Sequence, residues 1–317
     1  MNPSGHTQFD VALAADPQYL QHAAATLHSL LQQHPRGVRV HLVRSDVAAP
    51  RLDDLRGMVE SMGGQFHVVT VPPQQFARLK PHPFFGTHAW MRMLLPELLP
   101  EVKRVLYLDS DTIVCRPLDE LVKLDLNGHW VAAVVNPLYP HQSLERLASL
   151  GIHQVQRYFN SGVLLMDLEV MRAQGLCADL LKFADEHHEG FLYPDQDVLN
   201  AVLKGRWLSL PPQFNVQSVM FDLRAAQLPF DRDTVRHARR EPSIVHFSGL
   251  LKPWMDACGH PLRSLYWSHV RQTPWRAAKV ENKFWRNIIL RHFPYRLYHW
   301  YAQHFPQPQI ERKPTQY

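Results

Sequence analysis

Short apolar segments alternate with amphipathic helical segments over the first two-thirds of this 317-residue chain. Strands are predicted at 9–15, 38–43 and 66–71, and between them apolar residues recur every three or four positions, as on one face of a helix. Strands and helices that alternate in this way build βαβ units around a mostly parallel sheet. The sequence therefore predicts an α/β fold.

The same alternation continues toward the middle of the chain and beyond. Strands are predicted at 102–108, 131–135, 159–168 and 243–247, and helices at 89–99 and 169–189. The strand at 102–108 stops at Asp109, so carboxylates follow the carboxyl end of a strand. Open α/β sheets bind their ligands at that edge, and a functional site is therefore expected there.

Two aspartates, Asp109 and Asp111, lie two residues apart in the run LYLDSDTIV. Carboxylates so placed can hold one hard cation, directly or through water, and Mg²⁺ or Mn²⁺ is commonly held by one or two carboxylates together with substrate phosphates. Aspartate is also common in turns, so the pair by itself leaves a structural role open.

Three longer motifs accompany the aspartate pair, in the order YFNSGVLLMDL, YPDQDVLNAVLKG and HFSGLLKPW. From Phe9 to Trp254 the set resembles glycosyltransferase family 8, the retaining enzymes that use nucleotide sugars, and it is similar to the bacterial lipopolysaccharide galactosyl- and glucosyltransferases. The resemblance implies a GT-A fold, a Rossmann-like mixed sheet flanked by helices, in a catalytic domain at 1–255. It also implies transfer of galactose or glucose from a UDP-sugar to a saccharide acceptor, in lipopolysaccharide core or other surface glycan synthesis.

The resemblance assigns a divalent cation, Mn²⁺ or Mg²⁺, to Asp109, Asp111 and His246. His246 ends the strand-like run SIVHF, and a glycine turn at Gly249 lets backbone approach an anion. Lys252 then offers a point charge to the diphosphate and helps the nucleoside diphosphate to leave. A lone histidine is more often structural, and this chain has 20, so the ligand role depends on the surrounding HxxGxxKPW motif.

The resemblance also implies which residues bind the donor and carry the transfer. The substrate-binding residues are Ala14, Asp16, Gln18, Arg92, Asp109, Ser110, Asn160, Asp195, Gln196, Gly249 and Lys252. Asp195 and Asn160 would hold sugar hydroxyls, and Gln196 would lie close to the anomeric carbon. Because a neutral amide is a poor nucleophile, we expect the acceptor to enter on the face that the leaving group leaves, with Asp197 as the alternative covalent nucleophile. Aspartates in the first turn of a helix are also favoured by about 0.3–1 kcal/mol without any catalytic role.

Three residues depart from the family pattern, and two other functions compete with sugar transfer. Pro17 and Ser161 differ from the residues of close relatives, and Asn136 falls where some members carry an acceptor-binding aspartate. A haloacid-dehalogenase-like phosphatase also has a DxD motif after a strand, but its downstream acidic motif is not present in this sequence. A non-catalytic sugar-nucleotide or glycan-binding module would be expected to have degraded motifs, whereas these are intact.

The basic character of the chain belongs to its end, where a helical, aromatic and basic extension is predicted at 256–317. Residues Arg271 to Tyr317 include nine Lys or Arg and two Glu, a net charge of +7 against +5 for the whole chain. Interleaved aromatic and basic residues suit an anionic membrane surface, which would bring a lipid-linked acceptor within reach. Nucleic-acid binding and a helical cap on the main domain are the alternatives, and no nucleic-acid partner is expected.

The expected location is cytoplasmic, at the inner face of the cytoplasmic membrane. No apolar run approaches the roughly 18 residues that a membrane-spanning helix needs. The first ten residues have no basic segment followed by an apolar one, and the three cysteines form no CxxC pair.

Overall fold

The fold is seen in a computed structural model that describes residues 8–45, 51–72, 75, 88–138, 144–187, 191–249 and 251–282. The strands are β1 (Phe9–Ala14), β2 (Val38–Arg44), β3 (Gln65–Thr70), β4 (Arg104–Leu108), β5 (Thr112–Val114), β6 (Val131–Val135), β7 (Phe159–Asp167), β8 (Trp207–Ser209), β9 (Val216–Gln217) and β10 (Ile244–His246). The helices are α1 (Leu20–Gln33), α2 (Leu52–Ser61), α3 (His88–Met91), α4 (Leu95–Leu98), α5 (Asp119–Val122), α6 (Leu144–Ser149), α7 (Leu168–Ala173), α8 (Leu176–Glu186), α9 (Pro194–Leu203), α10 (Val219–Asp222), α11 (Arg232–Arg240) and α12 (Arg263–Val270). Short 3₁₀ turns lie at Arg92–Leu94, Val155–Arg157, Pro212–Phe214 and Ala225–Gln227.

The main sheet has the strand order β3-β2-β1-β4-β7-β6-β8. β7 runs antiparallel to both of its neighbours, β4 and β6, and the other neighbouring strands are parallel. The predicted mixed sheet of a Rossmann-like α/β fold is therefore confirmed.

Helices cover both faces of this sheet. Neighbouring residues of a strand point to opposite faces, so each strand contributes side chains to two cores. Val11 and Leu13 of β1 belong to the core beneath α1 and α2, whereas Ala12 belongs to the core beneath α4, α7 and α9. Leu106 and Tyr107 of β4 divide between the two cores in the same way. Burial on both faces explains why the strands read as nearly continuous apolar runs.

A second, three-stranded sheet has the order β5-β10-β9 and meets the main sheet at the aspartate pair. β4 ends at Leu108 and β5 begins at Thr112, so the segment 109–111 forms the turn that leads from one sheet to the other. In the antiparallel pairing of β5 with β10, Thr112 lies opposite His246. The register of the small sheet thus carries His246 to the aspartate turn.

Two predicted helices are interrupted in the structure. The segment 89–99 comprises α3, a 3₁₀ turn and α4, and Pro96, which has no N–H to donate, lies in the first turn of α4. The segment 169–189 divides into α7 and α8, because Gly175 between them has a left-handed φ of 65°. Single continuous helices were therefore the wrong prediction for both segments.

The described part of the predicted extension, together with Trp254 just before it, packs on α1. The ring of His22 stacks on Trp254 with centroids 3.5 Å apart, and its Nδ1 lies 2.7 Å from the Tyr266 hydroxyl of α12. Residues 283–317, which contain most of the predicted aromatic and basic segment, lie outside the described residues, so the boundary at 255 and the helical extension stay predictions. Within the ranges that the structure describes, no helix is both long and apolar enough to span a bilayer.

Candidate active site

Asp109, Asp111 and His246 form a compact group at the junction of the two sheets. Each offers one ligand atom, and these atoms all lie within 4.8 Å of one another. His246 Nε2 is 3.3 Å from the Asp111 carboxylate and 3.9 Å from that of Asp109. Two carboxylates and an imidazole are donors that Mn²⁺ accepts, so the three residues fit a divalent cation.

Lys252 places a positive charge against this group. Its Nζ pairs with the Asp111 carboxylate and donates to the carbonyl oxygen of Phe247 at 3.1 Å. Burial by itself raises the pKa of the Asp111 carboxyl, but the Lys252 ammonium and the His246 imidazole outweigh burial and hold that pKa far below its usual range. Asp111 is therefore a carboxylate throughout the physiological pH range, as a metal ligand must be.

Arg92 connects the aspartate turn to α9. Its guanidinium donates to Asp109 Oδ1 at 2.8 Å, and its Nε lies 3.1 Å from Asp195 Oδ2. The carbonyl of Ser161 accepts a further bond at 2.7 Å, and the guanidinium carbon lies 4.5 Å from the ring centre of Tyr107. Burial lowers the pKa of Arg92, but the two carboxylates raise it above its ordinary value. In this structure Arg92 positions Asp109 and Asp195.

Asn160 and Gln196 lie together with Asn136 in a buried amide cluster. Asn160 Nδ2 donates to Asn136 Oδ1 and to Gln196 Oε1, at 3.1 Å each. The backbone N–H of Ser161 donates to Gln196 Oε1 at 3.1 Å, and the Ser161 hydroxyl donates to Asp195 at 2.8 Å. Gln196 Nε2 is buried and has no hydrogen-bond partner among the described residues. This amino group is therefore available to a bound ligand.

Asp197 has a different environment from its two neighbours in the DQD motif. It is fully buried, and its carboxylate accepts bonds from the Tyr158 hydroxyl at 2.5 Å and from Arg146 at 2.8 Å. The backbone N–H groups of Leu192 and Tyr193 donate to it as well, at 2.9 and 3.2 Å. Asp197 thus fixes the segment that leads into α9 and is already saturated with donors.

The predicted nucleotide contacts surround the end of β1. The Ser110 hydroxyl donates to the carbonyl of Ala14 at 3.2 Å, which joins this strand end to the aspartate turn. Asp16 accepts a backbone N–H just before α1, and Gln18 is exposed beside it. Gly249 has a φ of 98°, which glycine adopts without strain. Their contacts with a nucleotide stay predictions.

Two residues of the site were not predicted from the sequence. Gly162 of β7 lies directly beneath Asp109 and His246: a Cβ on it would stand 2.6 Å from Asp109 Oδ2 and 2.9 Å from His246 Nδ1. Asn215 places its side-chain oxygen 3.0 Å from His246 Nδ1. The FNSG motif drew attention to the neighbourhood of Gly162, whereas no local signal marks Asn215.

The chain is similar to several known proteins. In a search of solved structures, galactosyltransferase LgtC in complex with donor and acceptor sugar analogs matches with a TM-score of 0.75 and 22% identity, covering 85% of this chain and 100% of that chain. General stress protein A of Bacillus subtilis (strain 168) is 29% identical over 272 residues, 84% of this chain and 94% of that protein. Lipopolysaccharide 1,2-glucosyltransferase of Escherichia coli (strain K12) is 29% identical over 199 residues, 60% of this chain and 57% of that protein.

The structural match shows that the protein has the GT-A fold. The sequence profile of Glycosyl transferase family 8 matches residues 10–258, which contain the aspartate turn, the amide cluster and the lysine. The chain therefore belongs to glycosyltransferase family 8.

Proposed function

We propose that this glycosyltransferase moves a hexose, galactose or glucose, from a UDP-sugar to a saccharide acceptor with retention of the anomeric configuration, in a reaction that depends on a divalent cation. The observation that carries this proposal is the group of Asp109, Asp111 and His246 with Lys252 beside it. Three metal ligands beside the partly buried ammonium group of Lys252 suit a diphosphate, because its departure needs compensation of the developing negative charge.

A Mn²⁺ or Mg²⁺ ion held by Asp109, Asp111 and His246 would neutralise the charge that develops on the departing diphosphate. Lys252 adds a fixed positive charge on the same side, and Gly249 lets the backbone come close to an anion. Arg92 holds Asp109 in place through their 2.8 Å ion pair.

The sugar would lie on the amide cluster. Gln196 Nε2 offers an unused donor. Asn160, which donates to Gln196, and Asp195, which accepts from Ser161, are the proposed partners of the sugar hydroxyls. The amide of Gln196 is a poor nucleophile, and the donors around Asp197 stabilise its negative charge and reduce its nucleophilicity. We therefore favour attack by the acceptor on the face from which UDP departs.

Asp197→Asn separates this mechanism from a covalent one. If Asp197 only positions α9, the variant keeps at least about a tenth of wild-type turnover while it is folded, although disturbing a buried ion pair lowers the free energy of unfolding by about 3 kcal/mol. Initial rates of UDP release and urea unfolding measure the two effects. Tyr158→Phe is the matched control, since it removes one bond to Asp197 but leaves the carboxylate. Complete loss of turnover in folded Asp197→Asn, with Tyr158→Phe active, would contradict the expectation that Asp197 only positions α9.

The acceptor class is proposed from the relatives. One of them is named a lipopolysaccharide glucosyltransferase, and a structural neighbour is a galactosyltransferase solved with sugar analogs. A saccharide of lipopolysaccharide core or another surface glycan, free or linked to lipid, fits both. Release of UDP from a panel of UDP-sugars, with Mn²⁺ and with EDTA, tests the donor and the metal together; no metal-stimulated release from any of them would refute the proposal.

We further propose that the end of the chain attaches the enzyme to anionic lipid at the cytoplasmic membrane. Residues 283–317 contain six Lys or Arg and one Glu. Basic residues near an anionic surface contribute about 1 kcal/mol each, so removing this segment should weaken binding to phosphatidylglycerol vesicles at least about tenfold. The truncation starts after Asn282 because Glu281 donates its backbone N–H to Trp254 at 2.9 Å. Vesicle sedimentation measures the loss, and undiminished binding by the truncated chain excludes this attachment.

A further inference from the structure

Asn215 has a buried side-chain amide that contacts the proposed metal ligand His246 at Nδ1, the ring nitrogen opposite the one near Asp111. It lies between a 3₁₀ turn and β9, with no exposed surface. Its Oδ1 is 3.0 Å from His246 Nδ1, and its Nδ2 donates to Asn160 Oδ1 at 2.9 Å. The amide therefore joins the imidazole to the cluster that contains Gln196.

Two backbone N–H groups fix the direction of every bond in this chain of amides. The N–H of Gly162 donates to Asn160 Oδ1 at 3.0 Å, and the N–H of Ser161 donates to Gln196 Oε1. A backbone N–H is only a donor, so the atom of Asn160 that faces Asn215 must be its oxygen. Asn215 then directs its NH₂ group to Asn160 and its carbonyl oxygen to the imidazole.

The imidazole of His246 has two neutral tautomers, and the neighbour of Nδ1 selects between them. An amide oxygen at Nδ1 accepts a bond only from the tautomer that carries its proton there. That tautomer leaves a lone pair on Nε2, the atom that lies 3.3 Å from Asp111. In metal proteins a ligating histidine commonly donates its other N–H in this way, and loss of the partner costs about 10–100-fold in metal affinity or activity.

We propose that Asn215 is a positioning residue that holds His246 in the Nδ1–H tautomer and so prepares Nε2 to bind a divalent cation. The same amide connects His246 to Gln196 through Asn160, so one hydrogen-bond network holds both the proposed metal ligand and the proposed sugar-binding residue. The importance of this role for turnover rests on the proposed metal-dependent transfer. The tautomer itself is a property of the protein without metal.

The first test measures the affinity for Mn²⁺ alone by counting free Mn²⁺ with electron paramagnetic resonance. Asn215→Leu keeps the branched shape but offers no acceptor, and we expect Mn²⁺ to bind about 10–100-fold more weakly. Asn215→Asp retains an oxygen for Nδ1–H but places its other oxygen against Asn160 Oδ1, so we expect a loss of Mn²⁺ affinity below about 10-fold, smaller than in Asn215→Leu. Gln217→Leu is the matched control, because Gln217 is a buried amide two residues away whose NH₂ donates to Val135 instead. It should bind Mn²⁺ as wild type does.

The second test observes the tautomer by ¹⁵N NMR of histidine-labelled, metal-free protein in mildly alkaline buffer. The signals of His246 are identified by their loss in His246→Gln, which is necessary in a chain with 20 histidines. Wild type and Asn215→Asp should show a protonated Nδ1 and a bare Nε2, and Asn215→Leu should gain the Nε2–H form. A wild-type His246 with its proton on Nε2 overturns the inference, whether or not the leucine variant folds.

The two measurements test the role of Asn215 and the proposed metal-dependent function independently. If wild type binds no Mn²⁺ but His246 carries its proton on Nδ1, the metal-dependent function fails and the structural role of Asn215 stands. If wild type binds Mn²⁺ and folded Asn215→Leu binds it equally well with an unchanged tautomer, the function stands and Asn215 has no positioning role.

Discussion

Asp111→Asn is expected to lower metal-stimulated release of UDP roughly 10³-fold, which corresponds to about 4 kcal/mol of transition-state stabilisation. The substitution removes a negative charge that faces both His246 Nε2 and the Lys252 ammonium. The asparagine amide would not neutralise the positive charge of Lys252, and it would offer the metal ion only one neutral oxygen. The measurement is kcat/KM for the best donor over a titration of Mn²⁺.

Asp179→Asn provides the matched control, because Asp179 is exposed on α8 and is not part of the junction of the two sheets. Its kcat/KM should stay within about twofold of wild type, as surface substitutions generally have small effects. His246→Ala should resemble Asp111→Asn. Unchanged turnover in both site variants would remove the metal site from the mechanism. Release of inorganic phosphate instead of UDP would favour the phosphatase alternative.

Much of the fold follows from local patterns. The strand at β1 and the helical stripe after it are set by the spacing of apolar residues, and the position of Asp109 at a strand end is visible in the sequence itself. The sequence does not show the direction of β7, because a buried strand has the same composition whether it runs parallel or antiparallel to its neighbours. The split at Gly175 depends on a single left-handed residue, which a periodic pattern tolerates.

For the residues of the site, the motifs predict which side chains take part but not what each of them contacts. Asp195, Gln196 and Asp197 are consecutive on α9, so successive side chains point about 100° apart and meet different surroundings. Asp195 faces Arg92, whereas Asp197 faces Arg146. Only tertiary packing tells these carboxylates apart. Asn215 lies 31 residues before His246 along the chain, and nothing within its own segment predicts their contact.

Gly162→Ala is expected to lower both kcat/KM and Mn²⁺ affinity about 10²-fold, because displacement of a catalytic group by about 1 Å can cost that factor. The added Cβ would stand 2.6 Å from Asp109 Oδ2 and closer still to His246 Cε1. His246 is held from behind by Asn215, so the imidazole cannot retreat without breaking that bond. The backbone of Gly162 has no positive φ, so the methyl group alone accounts for the effect.

Gly64→Ala distinguishes damage to the site from the general cost of overpacking, which is about 1–3 kcal/mol. Its Cβ would stand 2.8 Å from Val59 Cγ1 and 3.0 Å from Leu31 Cδ2, in the core beneath α1 and α2. Both variants should lose stability in urea, but folded Gly64→Ala should keep wild-type Mn²⁺ affinity and turnover. Equal losses of turnover in both would show that a strained fold, and not the position of the metal ligands, explains the effect. Gly162, although it lies against both Asp109 and His246, would then be a packing residue with no part in shaping the metal site.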